Sequence, residues 1–129
     1  LSTLRILHNN AYPCGDVCVC GTRGWINDTS QEPDRKVLLR EAGRLRASLV
    51  QGQKAGKRLL VFLHYPPVFA TDRNEEILKV LEEFGVSECY YGHIHGRGGF
   101  SKAVTGERDG VHYRLISCDY VQFCPVQVL

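Results

Sequence analysis

The 129-residue sequence contains no methionine, not even at position 1. A chain that opened as translated would begin with one, so a fragment or a processed chain is expected. No apolar run reaches the roughly 18 residues that a membrane-crossing helix needs, so no membrane partner is expected. No leader-like segment precedes the first strand-like run, and a cytoplasmic setting is expected. No Cys-x-x-Cys pair occurs, so the knuckle spacing of a structural zinc site is missing. Excess charge is small: 16 Lys and Arg against 14 Asp and Glu leave +2, too little to argue for nucleic acid. Internal repeats and low-complexity stretches are also lacking.

What is present has the balance of a soluble globular domain: 43% of residues are hydrophobic and 23% charged, enough for one core in one domain. Six cysteines occur, Cys14, Cys18, Cys20, Cys89, Cys118 and Cys124. They are expected to be reduced and structural. Cys18 and Cys20 have the alternation of a strand, where a free cysteine behaves as a small hydrophobe.

Along the chain, residues 4–8 and 17–21 read as strands. The stretch "NNAYPCGD" between them is rich in turn formers. "GTRGWINDTSQEPD" reads as a loop. Residues 34–54 read as a long helix, with Pro33 at its entry and Leu38, Ala42, Leu45 and Leu49 on one face. Its Arg and Lys residues read as a solvated face. "RLLVFLH", 58–64, reads as a strand buried on both faces. Residues 73–84 read as a second amphipathic helix, with Ile77, Leu78, Leu81 and Phe84 inward and Gly85 stopping it. Residues 87–92 read as a short aromatic strand. "KAVTG" and "VHYRLISCDYVQF" read as a hairpin turning at Asp109-Gly110. Strands alternating with helices predict an α/β layered sandwich with a mixed sheet.

Two strand ends draw attention. The strand 58–63 runs into His64, and the strand 87–91 runs into "GHIHG" with His93 and His95. In α/β sheets the ligand crevice lies outside the carboxyl ends of the strands. Neutral imidazole is the commonest metal-binding side chain. Extended backbone over 93–95 would put both rings on one side. Gly92, Gly96, Gly98 and Gly99 allow tight turns and close approach of a ligand. His64, His93 and His95 are therefore the candidate metal ligands. His8 and His112 sit inside strand patterns and read as ordinary.

"LLVFLHYPP" followed about thirty residues later by "CYYGHIHG" resembles the second half of a calcineurin-like metallophosphoesterase. "NNAY…VCVCGTRGW" is similar to the segment that follows the G-N-H-D motif in a bacterial branch of that family. The resemblance implies half of a four-layer αββα fold. It implies hydrolysis of a phosphate ester at two divalent transition-metal ions, Mn, Fe or Zn. His64 and His93 would bind one ion and His95 the other. The family's D-x-H, G-D-x-x-D and G-N-H-D motifs are absent from this sequence. With them go the bridging aspartate, the Asn ligand and the histidine near the leaving group. The resemblance therefore implies a carboxy-terminal half, at most partly metal-loaded and inactive alone.

In the complete centre, two cations about 3.5–4 Å apart would clamp phosphate oxygens and lower the pKa of a shared water. Histidine-rich ligation suits Mn²⁺, Fe²⁺ or Zn²⁺ better than Mg²⁺ or Ca²⁺. Arg23, between two glycines after a strand, and His95 are candidate phosphate contacts; an ordinary loop arginine is the alternative for Arg23. Trp25 reads as a packing anchor. Tyr65 reads as a wall of the crevice or a cover for the sheet edge. Two other functions fit the residues: a non-catalytic interaction scaffold of the same fold, and a small zinc protein using Cys14, Cys18 or Cys20. The expected partner is a phosphate-ester substrate, with self-association through an exposed sheet edge as a second expectation.

Overall fold

The computed structural model describes residues 3–28 and 30–129. Thr29, within the loop expected over 21–34, lies outside the described residues. Six strands form one mixed sheet: β1 (Ala11–Cys14), β2 (Val17–Thr22), β3 (Arg58–Leu63), β4 (Glu88–Tyr91), β5 (Gly106–Arg108) and β6 (Val111–Leu115). Their order is β1-β2-β3-β4-β6-β5. The four inner strands run parallel, and an antiparallel strand closes each edge. The helices are α1 (Glu32–Lys54), α2 (Glu75–Glu83) and the short α3 (Gly96–Phe100). This is the α/β layered arrangement that the alternation of strands and helices predicts. No helix among the described residues is long and apolar enough to cross a membrane.

The period of each element decides what it buries. On α1 the expected Leu38, Ala42, Leu45 and Leu49 are all buried. They meet Ile77, Val80 and Leu81 of α2 and one face of the sheet, through Cys18, Cys20, Val61, Leu63, Cys89 and Tyr91. Asn74 caps α2 by accepting a hydrogen bond from the Ile77 amide at 3.2 Å. The other sheet face buries Val17, Leu60 and Tyr90. Phe62 stacks on Tyr90 with ring centres 4.8 Å apart, and Ile116 and Val128 cover part of this layer. The central strand β3 thus has apolar residues on both faces, as its continuous run predicts.

Three expectations are corrected. Residues 4–8 form no strand; Leu4 and Ile6 stand 63% and 75% exposed. The strand instead falls on Ala11–Cys14, where turn formers dominate. A two-residue turn with Gly15 at φ +56° returns this segment onto β2, and Pro13 is tolerated because β1 is an edge strand. The second-last strand is Gly106–Arg108 rather than 102–106. The hairpin does turn at Asp109-Gly110, both with positive φ. β6 stops at Leu115 instead of running to 123. Beyond it the backbone closes on itself, with the Phe123 amide donating to the Cys118 carbonyl at 2.7 Å and the Val121 amide to that of Ser117 at 3.1 Å.

All six cysteines are free thiols. Cys18, Cys20 and Cys89 are buried, and Cys14, Cys118 and Cys124 are exposed. Burial, aided by the neighbouring Cys18, pushes the Cys20 thiol up to about 12. Burial alone pushes Cys89 up as well. The buried thiols are packing residues, since the thiolate is the reactive form.

Candidate metal centre

Parallel pairing brings the ends of four strands to one edge. Thr22 lies opposite Leu63, Leu63 opposite Tyr91, and Tyr91 opposite Leu115. The residues that follow therefore fall side by side: Arg23, His64, the 92–95 segment and the 116–119 segment. Backbone hydrogen bonds continue the tie beyond the strands. The amides of His64 and Tyr65 both donate to the Arg23 carbonyl at 3.0 Å. The Gly92 amide donates to the His64 carbonyl at 3.2 Å, and the Ile116 amide to that of Tyr91 at 2.8 Å.

His93 occupies an unusual backbone. Its φ is +68°, and the Ile94 amide donates to the Gly92 carbonyl at 2.8 Å across it. A three-residue turn with a non-glycine residue in this region is strained, at a cost of about 1–3 kcal/mol. This corrects the expected extended backbone: His95 is extended, with φ −128° and ψ 153°, but His93 is not. The turn sends the two rings to different partners. His93 Nδ1 lies 3.1 Å from His64 Nε2, with the rings at 73° to one another. Tyr65 packs against both, its ring centre 4.9 Å from that of His64 and 4.4 Å from that of His93.

The donor set fits a borderline transition cation. Two nitrogens, each about 2.0–2.1 Å from a tetrahedral zinc ion, are separated by about 3.3–3.4 Å. The observed 3.1 Å needs only a few tenths of an ångström of opening. In the metal-free pair one ring donates its N–H to the other, and a cation would take the place of that hydrogen. Both imidazoles are exposed, so the entry is open. Partial desolvation first, then the nearby His64 and His95, holds the His93 pKa below its ordinary value. His93 is therefore neutral, the form that ligates metals, around neutral pH.

That shift has a sign that can be measured. Because folding lowers the His93 pKa, the unfolded chain takes up its proton first as pH falls. The stability this contributes is fully present above about pH 6.5, the unperturbed histidine value, and is lost as pH falls through the folded midpoint. An NMR titration of the His93 ring protons is expected to give a midpoint below that ordinary value; a midpoint at or above it contradicts the geometry.

His95 turns to the end of β6. Its Nδ1 lies 2.8 Å from Asp119 Oδ1. The Gly96 amide donates to Asp119 Oδ2 at 2.9 Å, and the Tyr120 amide to Oδ1 at 3.0 Å. Hydrogen bonding from Gly96, with a smaller contribution from His95, holds the Asp119 carboxyl below its usual range. Of the four flanking glycines, Gly96 alone needs its freedom, at φ +73°. Cys118 joins the group: His95, Cys118 and Asp119 each bring one donor atom within 4.8 Å of the others. Sequence reasoning missed Asp119 and Cys118 because it carried the last strand through them. The parallel pairing of β6 with β4 was the signal that would have found them. His8 lies in the irregular segment before β1, and His112 points outward from β6.

The structure gives Arg23 two partners. Its guanidinium stacks 4.4 Å from the centre of the Trp25 ring and lies 3.6 Å from Glu41. Glu41 is fully buried, accepting from Thr22 at 2.8 Å and from Arg44 at 2.6 Å. Trp25 also packs on Tyr65, with centres 5.5 Å apart, so it both anchors the loop and walls the site. Beside His93 opens a cavity of about 160 Å³, lined among others by Trp25, Asn27, Tyr65 and Asp72. Asn27 Oδ1 is buried there without a partner among the described residues. A larger cavity of about 490 Å³ sits at the opposite end of the sheet, around Arg73, Glu82 and Tyr113, and no histidine lines it.

No protein-family model, curated protein or solved structure matches the chain.

Proposed function

We propose that this chain contributes His64, His93 and His95 to a divalent transition-metal centre that hydrolyses phosphate esters. The observation that carries the reading is the approach of His93 Nδ1 to His64 Nε2, 3.1 Å, at the ends of adjacent parallel strands. The strained backbone at His93 supports it, because such strain clusters at functional sites. In this reading His64 and His93 hold one cation, and His95 faces the second. Mn, Fe or Zn suits such ligands, and bound cations supply charge neutralisation of the phosphate and a lowered pKa for the attacking water. The chain's own residues orient the substrate: Tyr65 and Trp25 wall the cavity beside His93. Arg23, its side chain 47% exposed, offers a substrate phosphate a partner in exchange for Glu41.

The remaining ligands belong to the motifs this sequence does not contain, as the resemblance to metallophosphoesterases implies. Six unpaired thiols support a reducing, cytoplasmic setting. Self-association, if present, would run through the edge strand β5, since Pro13 blunts β1. The test is hydrolysis of an aryl phosphate, with Mn²⁺, by the chain joined to a segment bearing the missing motifs. The expected result is metal-dependent turnover that His93→Ala abolishes. Turnover that persists in His93→Ala contradicts the reading. Metal bound at His93 without turnover establishes the scaffold reading instead.

A further inference from the structure

The geometry points to Asp119 as a positioning residue that fixes the tautomer of His95 and leaves its Nε2 as the free donor; its bearing on metal binding rests on the function proposed above. Three hydrogen bonds define the Asp119 carboxylate. It accepts from the Gly96 and Tyr120 amides at 2.9 and 3.0 Å, and its Oδ1 lies 2.8 Å from His95 Nδ1. An ionised carboxylate only accepts, so the hydrogen between Oδ1 and Nδ1 belongs to the imidazole. A neutral ring carries one N–H. With that hydrogen on Nδ1, the lone pair is on Nε2.

The carboxylate cannot turn away without giving up two backbone donors. Those donors come from two segments, Gly96 from the start of α3 and Tyr120 from the residue that follows Asp119 itself. Asp119 thus ties the loop that carries His95 to the end of a neighbouring parallel strand. A carboxylate behind a metal-binding imidazole sets its orientation and raises its basicity, and losing it costs about 10–100-fold in metal affinity.

Long-range proton–nitrogen NMR on the metal-free chain, under conditions where His95 is neutral, judges Asp119 alone. The expected spectrum shows His95 protonated at Nδ1 in the wild type and shifted toward the Nε2–H form in Asp119→Ala. Asp119→Asn provides a second variant of the same shape, whose amide can donate to Nδ1 and impose the other tautomer. Zinc titration then tests the consequence, with affinity at least about tenfold weaker in both variants. A wild-type His95 without a hydrogen on Nδ1, or an unchanged tautomer in both variants, overturns the assignment. A tautomer that shifts while zinc affinity holds overturns the link to metal binding. A wild-type chain that takes no zinc overturns ligation by these histidines without the missing motifs, whereas the Nδ1–H result still upholds Asp119 as the group that sets His95.

Discussion

His93→Ala is expected to weaken zinc binding by the chain about a hundredfold or more, beyond the 10–100-fold typical of a lost outer-shell partner. His64→Ala should do the same. The two imidazoles stand 3.1 Å apart at adjacent strand ends, and either one left alone provides a single nitrogen from an exposed loop. Such residues act as a unit, so the double variant should cost little more than either single one. His112→Ala provides the control, since that ring lies on the outward side of β6. Calorimetric titration with zinc, with thiol reductant present, reads the wild type and all four variants. Equal affinity in wild type and His93→Ala removes the pair from the account.

Gly21→Ala is expected to cost about 3 kcal/mol or more, a large share of the roughly 5–15 kcal/mol that holds a domain together. A Cβ at this position would sit 1.9 Å from the Phe62 carbonyl oxygen and 2.9 Å from its carbon. Both atoms belong to the backbone of the central strand, so no side chain can rotate to make room. The φ of +152° adds strain for any other residue. A shift of the backbone to relieve the clash would disturb the Gly21 amide, which donates to Ser48 Oγ at 2.9 Å, itself donating to the Asn10 carbonyl at 2.6 Å. The strand end that precedes Arg23 is therefore set by this one glycine. Denaturant unfolding measures the loss, and a midpoint within error of wild type contradicts the packing described.

Helix α1 was legible because local sequence decides it: Leu38, Ala42, Leu45 and Leu49 recur at the helical period and all are buried. β3 was legible because a strand covered on both faces reads as an unbroken apolar run. β1 was not. Its four residues include Pro13 and sit among turn formers, and only the non-local pairing with β2 makes them a strand. The segment 4–8 misled in the opposite sense, since its alternating apolar residues Leu4 and Ile6 stand exposed instead of packing into a sheet. At the site, His64 and His93 were legible from their places at strand ends. The facing of His93 toward His64 was not, because it follows from a φ of +68° that a histidine seldom adopts. Asp119 was hidden by an apolar pattern that continues past the point where β6 stops.

The shared ligation of one cation by His64 and His93 is tested most directly by X-ray absorption on the chain loaded with one equivalent of zinc. The account predicts scattering from at least two imidazoles with zinc–nitrogen distances of about 2.0–2.1 Å, and loss of imidazole scattering in His93→Ala. A zinc shell made of sulfur or oxygen alone, unchanged by His93→Ala, would contradict it.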